Sequence, residues 1–327
     1  MKLKFTSSST WHDRFLLPLA YGLIERGYQD VEVIIGEKNF GDLTNCIVIS
    51  SYHADFKQLR PARVLIALEH AISFCKSYYA HPDTALVDYM LVQGEVFSQW
   101  LTFCHPHVKQ LKSGWHRIEE LHKLGSTRQK IIQKHSLNPN KPIILYLPTW
   151  NTTGMPAYGG SLHEAYDTLM SLKLENLLIL PHPSCQYGNG AYKDKPGVVH
   201  WGDTYQYLAA ADLAIGDNSS ALTEFASLDK PVIHIDKWGD LRGLICWNHN
   251  TPKTGTSAMR NLFQVLQLGE IVPIDTARIK EAIDDALATP HRYKSVRDYM
   301  VNLALYNRGN SLSTTLDCIE QVIKGKV

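Results

Sequence analysis

The chain of 327 residues is long enough for two domains of ordinary size. With 44% hydrophobic and 20% charged residues it has the composition of a soluble globular protein, and a net charge of +1 exerts no pull toward nucleic acid. No apolar run is long enough for a bilayer, the start MKLKFTSSSTWHDRF lacks a signal-peptide core, and the six scattered cysteines form no C-x-x-C pair, which together predict free thiols in a reducing cytoplasm.

Residues 3–5 read as a first strand, followed by a polar loop of Ser7, Ser8, Ser9 and Thr10. An apolar helix over 15–25 is ended by Gly27. Strands are predicted over 31–35, 47–50, 64–68 and 89–92, and a helix over 96–103. Glu69 and His70 follow the fourth strand. Alternating strands and connectors argue a parallel sheet with helices on both faces. Cys104, His105 and His107 cluster, but a zinc site needs a second half that the chain does not offer, so no metal site is predicted.

Residues 109–112 read as one more strand, ending at Gly114, and 118–135 as helix. The polar turn Asn138-Pro-Asn-Lys-Pro142 lies where a domain boundary is expected, between Gly114 and Pro142. The pattern then restarts, with strands over 143–147, 177–180, 198–200, 213–215 and 232–235, and closing helices over 279–288 and 313–323. The fold class is therefore α/β, with two Rossmann-like, doubly wound domains facing a cleft. The first covers 1–125 and the second 126–295, and the closing helix within 296–327 is expected to pack back on the first.

The stretch DLAIGDNSSALTEFASLDKPVIHID, residues 212–236, is the most informative. An apolar strand is broken by Gly216, Asp217 and Asn218. Ser219 and Ser220 then sit where a helix begins, with an apolar stripe of Ala221, Leu222, Phe225 and Leu228. A right-handed crossover puts that helix start at the carboxyl edge of the sheet, where open α/β sheets bind ligands. Two hydroxyls beside unpaired amides make a phosphate cradle. The same serines also suit an ordinary helix cap. A capping box would place its acid at Thr223, so capping leaves Glu224 unexplained.

Other polar residues follow strand ends. Thr149, Trp150 and Asn151 follow the strand of 143–147. His182, between Pro181 and Pro183, is held extended by its neighbours, which suits either a ligand contact or a simple turn.

In this order and spacing, Leu145-Tyr-Leu-Pro-Thr-Trp150, Leu180-Pro-His-Pro183, Asp217-Asn-Ser-Ser220 with Glu224, and Lys230-Pro231 resemble the CDP-glycerol glycerophosphotransferases, the teichoic-acid primases and polymerases of the GT-B fold. Glu69-His70, Gly114-Trp-His-Arg117 with Leu121, Asp240-Leu-Arg-Gly243 and Asn307-Arg-Gly-Asn310 extend the resemblance over roughly residues 60 to 323. Ala71-Ile72 stands where that family has glycine-threonine, and Asn151 where it often has arginine.

The resemblance implies transfer of a glycerol-phosphate or related polyol-phosphate group from a CDP-activated donor to a hydroxyl of a glycan or polyol-phosphate polymer, releasing CMP. By the same resemblance His70 is the general base; should it prove structural, His53 and His12 are the next candidates. His182, Ser219 and Ser220 hold the donor phosphates, and Glu224 lies near the ribose. Thr149, Trp150, Asp217, Asn218 and Arg242 complete the expected donor site. No cofactor is implied, and without an Asp-x-Asp motif no divalent metal is expected. A cytoplasmic enzyme follows, with peripheral association at the inner face of the membrane left open.

Three rivals share these residues. A GT-B glycosyltransferase would take a nucleotide sugar, and a nucleotide-sugar 2-epimerase would need no second substrate. A non-catalytic nucleotide or sugar-phosphate binder would bind without turnover.

Overall fold

The computed structural model describes residues 2–70, 72, 82–125, 127–149, 160–182, 192, 194–199, 203–217, 219–236 and 267–327. Six strands form the first sheet: β1 (Lys2–Ser7), β2 (Val31–Ile35), β3 (Cys46–Ser50), β4 (Val64–Leu68), β5 (Tyr89–Val92) and β6 (Lys109–Lys112). Their order is β2-β1-β3-β4-β5-β6 and every pairing is parallel. A parallel sheet covered on both faces needs strands that are apolar throughout. The run Cys-Ile-Val-Ile-Ser of β3 meets that need, and all five residues are buried. Helix α1 (Asp13–Glu25) lays Phe15, Leu16, Leu19, Ala20 and Leu23 into the core. The short α2 (Phe56–Leu59) and α3 (Glu95–Cys104) belong to the same half.

The expected helix over 118–135 is two helices, α4 (Ile118–Lys123) and α5 (Arg128–His135). Leu124 is extended, at φ −62° and ψ 111°, just before Gly125, and the Thr127 hydroxyl donates instead to the Gln206 carbonyl. These local contacts outweigh the helix propensity of the charged run.

The second sheet contains β7 (Ile144–Tyr146), β8 (Leu177–Ile179), β9 (Leu213–Gly216), β10 (Val232–Asp236) and β11 (Glu270–Pro273), in the order β11-β10-β9-β7-β8, again all parallel. Its helices are α6 (Leu162–Ser171), α7 (Thr204–Ala210), α8 (Ser220–Ala226) and α9 (Thr276–Ala288). Of the strand expected over 198–200, Val198 makes an isolated bridge to Ile179, directly after Gly197 at positive φ, and residue 200 lies outside the described residues.

The chain then returns. Helix α10 (Lys294–Ala304) packs on α3 and α8, and α11 (Ser311–Ile323) packs on α1, α4 and β6. Arg297, almost completely buried, reaches Asp229 at 3.2 Å and fastens α10 beside α8. The return passes so close to Gly114, at φ +90°, that a Cβ there would lie 2.4 Å from the Tyr306 carbonyl oxygen. Only glycine fits both that φ and that approach.

In each sheet the strand order reverses once, between β1 and β3 and between β7 and β9. Such switch points open crevices at the carboxyl ends of the strands. One hydrophobic core runs through both halves, and a second fills the space between the second sheet, α6 and α9. No helix among the described residues is long and apolar enough to cross a membrane.

Candidate active site

The two crevices share a cavity of about 320 Å³. From the first sheet come the β1–α1 loop with His12, Arg14 in the first turn of α1, His70 just past β4, and Trp115 and Arg117 past β6. From the second come Leu147 and Pro148 past β7, Pro181 and His182 past β8, and Ser219, Ser220 and Glu224 past β9.

The β1–α1 loop is fixed by Asp55, whose carboxylate accepts from the Ser8 amide at 2.7 Å and the Ser8 hydroxyl at 2.6 Å. His12 is thereby buried, with Nδ1 2.9 Å from the Ser51 hydroxyl. Burial pushes its pKa down to about 3, so it is neutral at physiological pH. Its ring lies 4.8 Å from that of His70, tilted by 31°. His70 is partly exposed to the cavity, and the buried Glu69 carboxylate stands 4.0 Å from its Nδ1. His53 is not on the cavity wall.

On the opposite wall, Ser219 occupies the N-cap position of α8 but its side chain makes no capping bond. His182 is exposed at the cavity rim.

Asp217 and Thr149 lie behind this wall. The buried Asp217 carboxylate accepts from the Thr149 amide at 2.9 Å and hydroxyl at 2.5 Å, and from the Ser161 amide at 2.6 Å and hydroxyl at 2.9 Å. It ties the ends of β7 and β9 together and is not among the residues that line the cavity. His234 supports the same turn. It accepts the Leu268 amide at Nε2, 3.1 Å away, so its Nδ1 carries the proton and donates to the Asp217 carbonyl, also at 3.1 Å. Burial keeps it neutral. Trp150, Asn151, Asn218, Arg242 and Ala71 lie outside the described residues.

Glu224 is buried at the cavity floor. Its Oε1 accepts from Trp115 Nε1 at 2.8 Å and from the Tyr205 hydroxyl at 2.6 Å. Burial raises its pKa above the ordinary carboxylate value, and Arg117, Tyr205 and Trp115 act against that rise. Trp115 was marked in the sequence only as part of the Gly114-Trp-His-Arg117 segment, with no role assigned to it, and Tyr205 and Arg14 were not singled out; they meet Glu224 only through the fold. Among the described residues no group of three or more His, Cys, Asp and Glu could hold a metal, Cys104, His105 and His107 included.

Two parallel α/β sheets whose carboxyl edges line one cavity have the architecture of the GT-B fold. The family model of CDP-glycerol:poly(glycerophosphate) glycerophosphotransferase matches residues 45–242, more than half of the chain, and the chain belongs to that family. It is a transferase of the glycerophosphotransferase type. No curated protein matches the chain significantly.

Among solved structures, the wall teichoic acid polymerase TagF superposes with a TM-score of 0.68 at 14% identity, covering 99% of this chain and 89% of that one. A variant of TagF soaked with CDPG has a TM-score of 0.63 at 13% identity, covering 99% and 89%. The UDP-GlcNAc 2-epimerase of Neisseria meningitidis, bound to UDP-GlcNAc, has a TM-score of 0.61 at 13% identity, covering 99% and 100%. At these identities the likeness is one of fold.

Proposed function

We propose that the chain transfers a glycerol-phosphate, or related polyol-phosphate, group from a CDP-activated donor to a hydroxyl of a glycan or polyol-phosphate polymer, releasing CMP. The observation that carries this reading is one cavity with His70 on one wall and Ser219, Ser220 and His182 on the other. His70 takes the proton of the acceptor hydroxyl as its oxygen bonds to the donor's outer phosphorus. The bond from that phosphorus to CMP breaks, and the charge left on CMP faces His182 and the two serine hydroxyls. Glu224 serves the ribose side, with Trp150, Asn218 and Arg242 completing the donor site. Asp217 is a positioning residue acting through Thr149. In this reading residues 1–125 carry the acceptor and 126–295 the donor, and 296–327 return to the acceptor side. The enzyme works in the cytoplasm, with its polymer acceptor, of wall or capsule type, presented at the inner face of the membrane.

Family membership and the CDPG-soaked relative support a cytidine donor. The test is thermal stabilisation followed by turnover. A ligand at a hundred times its Kd adds about 2.7 kcal/mol of stability. CDP and CMP should stabilise the protein, and CDP-glycerol with a polyol-phosphate acceptor should yield CMP, in the presence of a chelator as in its absence. Stabilisation by UDP and UDP-GlcNAc but not by CDP or CMP would replace this reading with a glycosyltransferase or an epimerase.

A further inference from the structure

An open sheet edge is a template for another strand, so natural sheets blunt their edges with lysine, proline, short strands or a covering element. Three of the four edges here follow that rule. β6 carries Lys109 and Lys112 and lies against α11. β11 ends at Pro273. β8 is covered by the turn beside it: the Ile179 amide donates to the Gly197 carbonyl and the Val199 amide to the Ile179 carbonyl, both at 2.8 Å. The remaining edge, β2, reads Val-Glu-Val-Ile-Ile, with no proline and no lysine. Its one charge, Glu32, is met by Lys2 at 2.8 Å and Lys4 at 3.3 Å on the neighbouring strand.

The register with β1 decides which groups of β2 are free. Leu3 lies beside Val31 and Ser7 beside Ile35. The Leu3 amide donates to the Asp30 carbonyl at 2.9 Å, and the Gly36 amide to the Ser7 carbonyl at 2.8 Å. The residues between in that same phase, Glu32 and Ile34, turn their amides and carbonyls toward β1. Those of Val31, Val33 and Ile35 point outward, and among the described residues they have no partner.

The surface beside this edge is apolar as well. Helix α1 packs on β1 and β2. Its Gly22 faces α11, where a Cβ would lie 2.6 Å from Leu316, and Arg26, one turn on, binds Asp317 at 2.6 Å. The helical repeat places Leu17, Tyr21 and Ile24 on the opposite flank. Because α11 lies toward β6, at the far end of the sheet, that flank looks out past β2. Leu17 is half-buried and outside both cores, Tyr21 and Ile24 are exposed, and Val33 on the edge itself is 38% exposed.

We infer that β2 and this flank of α1 form an interface between two copies of the chain, with the two β2 strands antiparallel about a twofold axis at Val33. The free groups dictate that register. Val33 lies opposite the partner's Val33 and Val31 opposite the partner's Ile35, so every outward amide meets an outward carbonyl. A twofold pairing uses one patch on both copies and closes. The neutral edge has no charge with which to select a foreign strand, whereas a second copy brings the same free groups and the same apolar flank. A specific interface buries about 1,200–2,000 Å². Two five-residue strands fall short of that, and Leu17, Tyr21 and Ile24 supply the remainder. A net charge of +1 per chain sets up little repulsion between copies. In this arrangement the carboxyl edges of the two first sheets point in opposite directions, so both cavities stay open. The inference is independent of the transfer reading.

Sedimentation velocity over a range of protein concentrations tests it. The wild type should sediment as a dimer. Val33→Lys sets two ammonium groups face to face on the axis and should weaken the dimer about tenfold or more. Ile24→Lys, outside the sheet, should weaken it too, and keeps the test open if Val33→Lys does not fold. Cysteine cross-linking reads the register. Val33→Cys puts two thiols on the axis with Cα atoms about 5.5 Å apart, within disulfide reach. Mild oxidation should then give a covalent dimer above the wild-type background. Glu32→Cys faces the partner's Ile34 and should give none. A monomeric wild type at every concentration, a dimer left intact by folded Val33→Lys or Ile24→Lys, or cross-linking through Glu32→Cys in place of Val33→Cys overturns the interface.

Discussion

The indole Nε1 of Trp115 donates to Oε1 of Glu224 across 2.8 Å, joining the loop past the last strand of the first sheet to the helix past β9 of the second. The two sheets are thus fastened through the cavity floor, where a substrate would also bind. Trp115 is itself held from behind, its carbonyl accepting from the Ser311 hydroxyl at 2.8 Å at the start of α11. The returning helix therefore fixes a cavity wall built from residues nearly two hundred positions earlier.

Replacing Trp115 with Phe keeps most of the packing and removes the donor. Tyr205 then holds the buried carboxylate alone. The loss of one hydrogen bond to a charged group should lower stability by about 1.5–3 kcal/mol. Urea denaturation measures it. A change in midpoint too small to resolve would mean that water or Arg117 replaces the indole without cost.

Asp217 is more sensitive than its surface-like residue type suggests. Its carboxylate accepts four bonds from Thr149 and Ser161 alone, two residues outside any regular element. Asn at this position offers one acceptor oxygen and points an amide at donors. A penalty of about 3 kcal/mol or more is expected, on the scale of breaking a buried charged network. Equal stability of Asp217→Asn and wild type by chemical denaturation would refute this role.

Much of this architecture was legible in the sequence because parallel strands advertise themselves as apolar runs, as 47–50 and 213–215 do. His70, His182, Ser219 and Ser220 were legible as residues past strand ends, Glu224 as an acid that capping leaves unexplained, and all line one cavity. What escaped depends on the assembled fold. β11 is a four-residue edge strand ending at Pro273, too short and too polar to show a period. α10 hides its buried stripe because Arg297, a residue type expected outside, occupies it. Asp217 was read from its place in the turn as part of the donor site, and the bonds that its oxygens accept from Thr149 and Ser161 could not be read from the sequence.

The serine pair can be tested on its own. Ser219→Ala with Ser220→Ala removes two hydroxyls and leaves the α8 amides in place. Ser219 makes no capping bond, so the helix loses little. CDP affinity should fall about tenfold, the scale of one or two charge-assisted hydrogen bonds. Unchanged CDP affinity by calorimetry would move the pyrophosphate away from this wall.

His70 is expected to act on the transition state. A general base contributes about a hundred- to ten-thousand-fold in rate. His70→Ala should therefore lower turnover by that range with CDP affinity nearly intact, whereas His182→Ala should weaken donor binding as well. Glu69, 4.0 Å from Nδ1, and the neutral ring of His12 surround the His70 imidazole without adding a competing positive charge. If His70→Ala keeps most of its turnover at saturating donor and acceptor, the base lies elsewhere and His12, on the same wall, is the next residue to change.

Acid should destabilise this fold before its carboxylates titrate. His12 and His116 are both buried, and burial pushes each pKa down to about 3 from an ordinary 6.5. Nε2 of His116 has no hydrogen-bond partner, so protonating it would strand a charge in the core. Below pH 6.5 the unfolded chain takes up two protons that the native chain refuses. The stability that these residues contribute is complete above 6.5 and is lost as pH falls toward 3. Well inside that window the slope approaches about 1.4 kcal/mol per pH unit for each histidine. Glu224 opposes this, since its raised pKa lets the native state take a proton first. Urea denaturation across pH 7 to 5 should therefore show a falling midpoint, and His116→Gln should flatten the curve by the share of one histidine. A midpoint constant across that range in the wild type would mean that both imidazoles accept protons in place, and that the walls around them open to water.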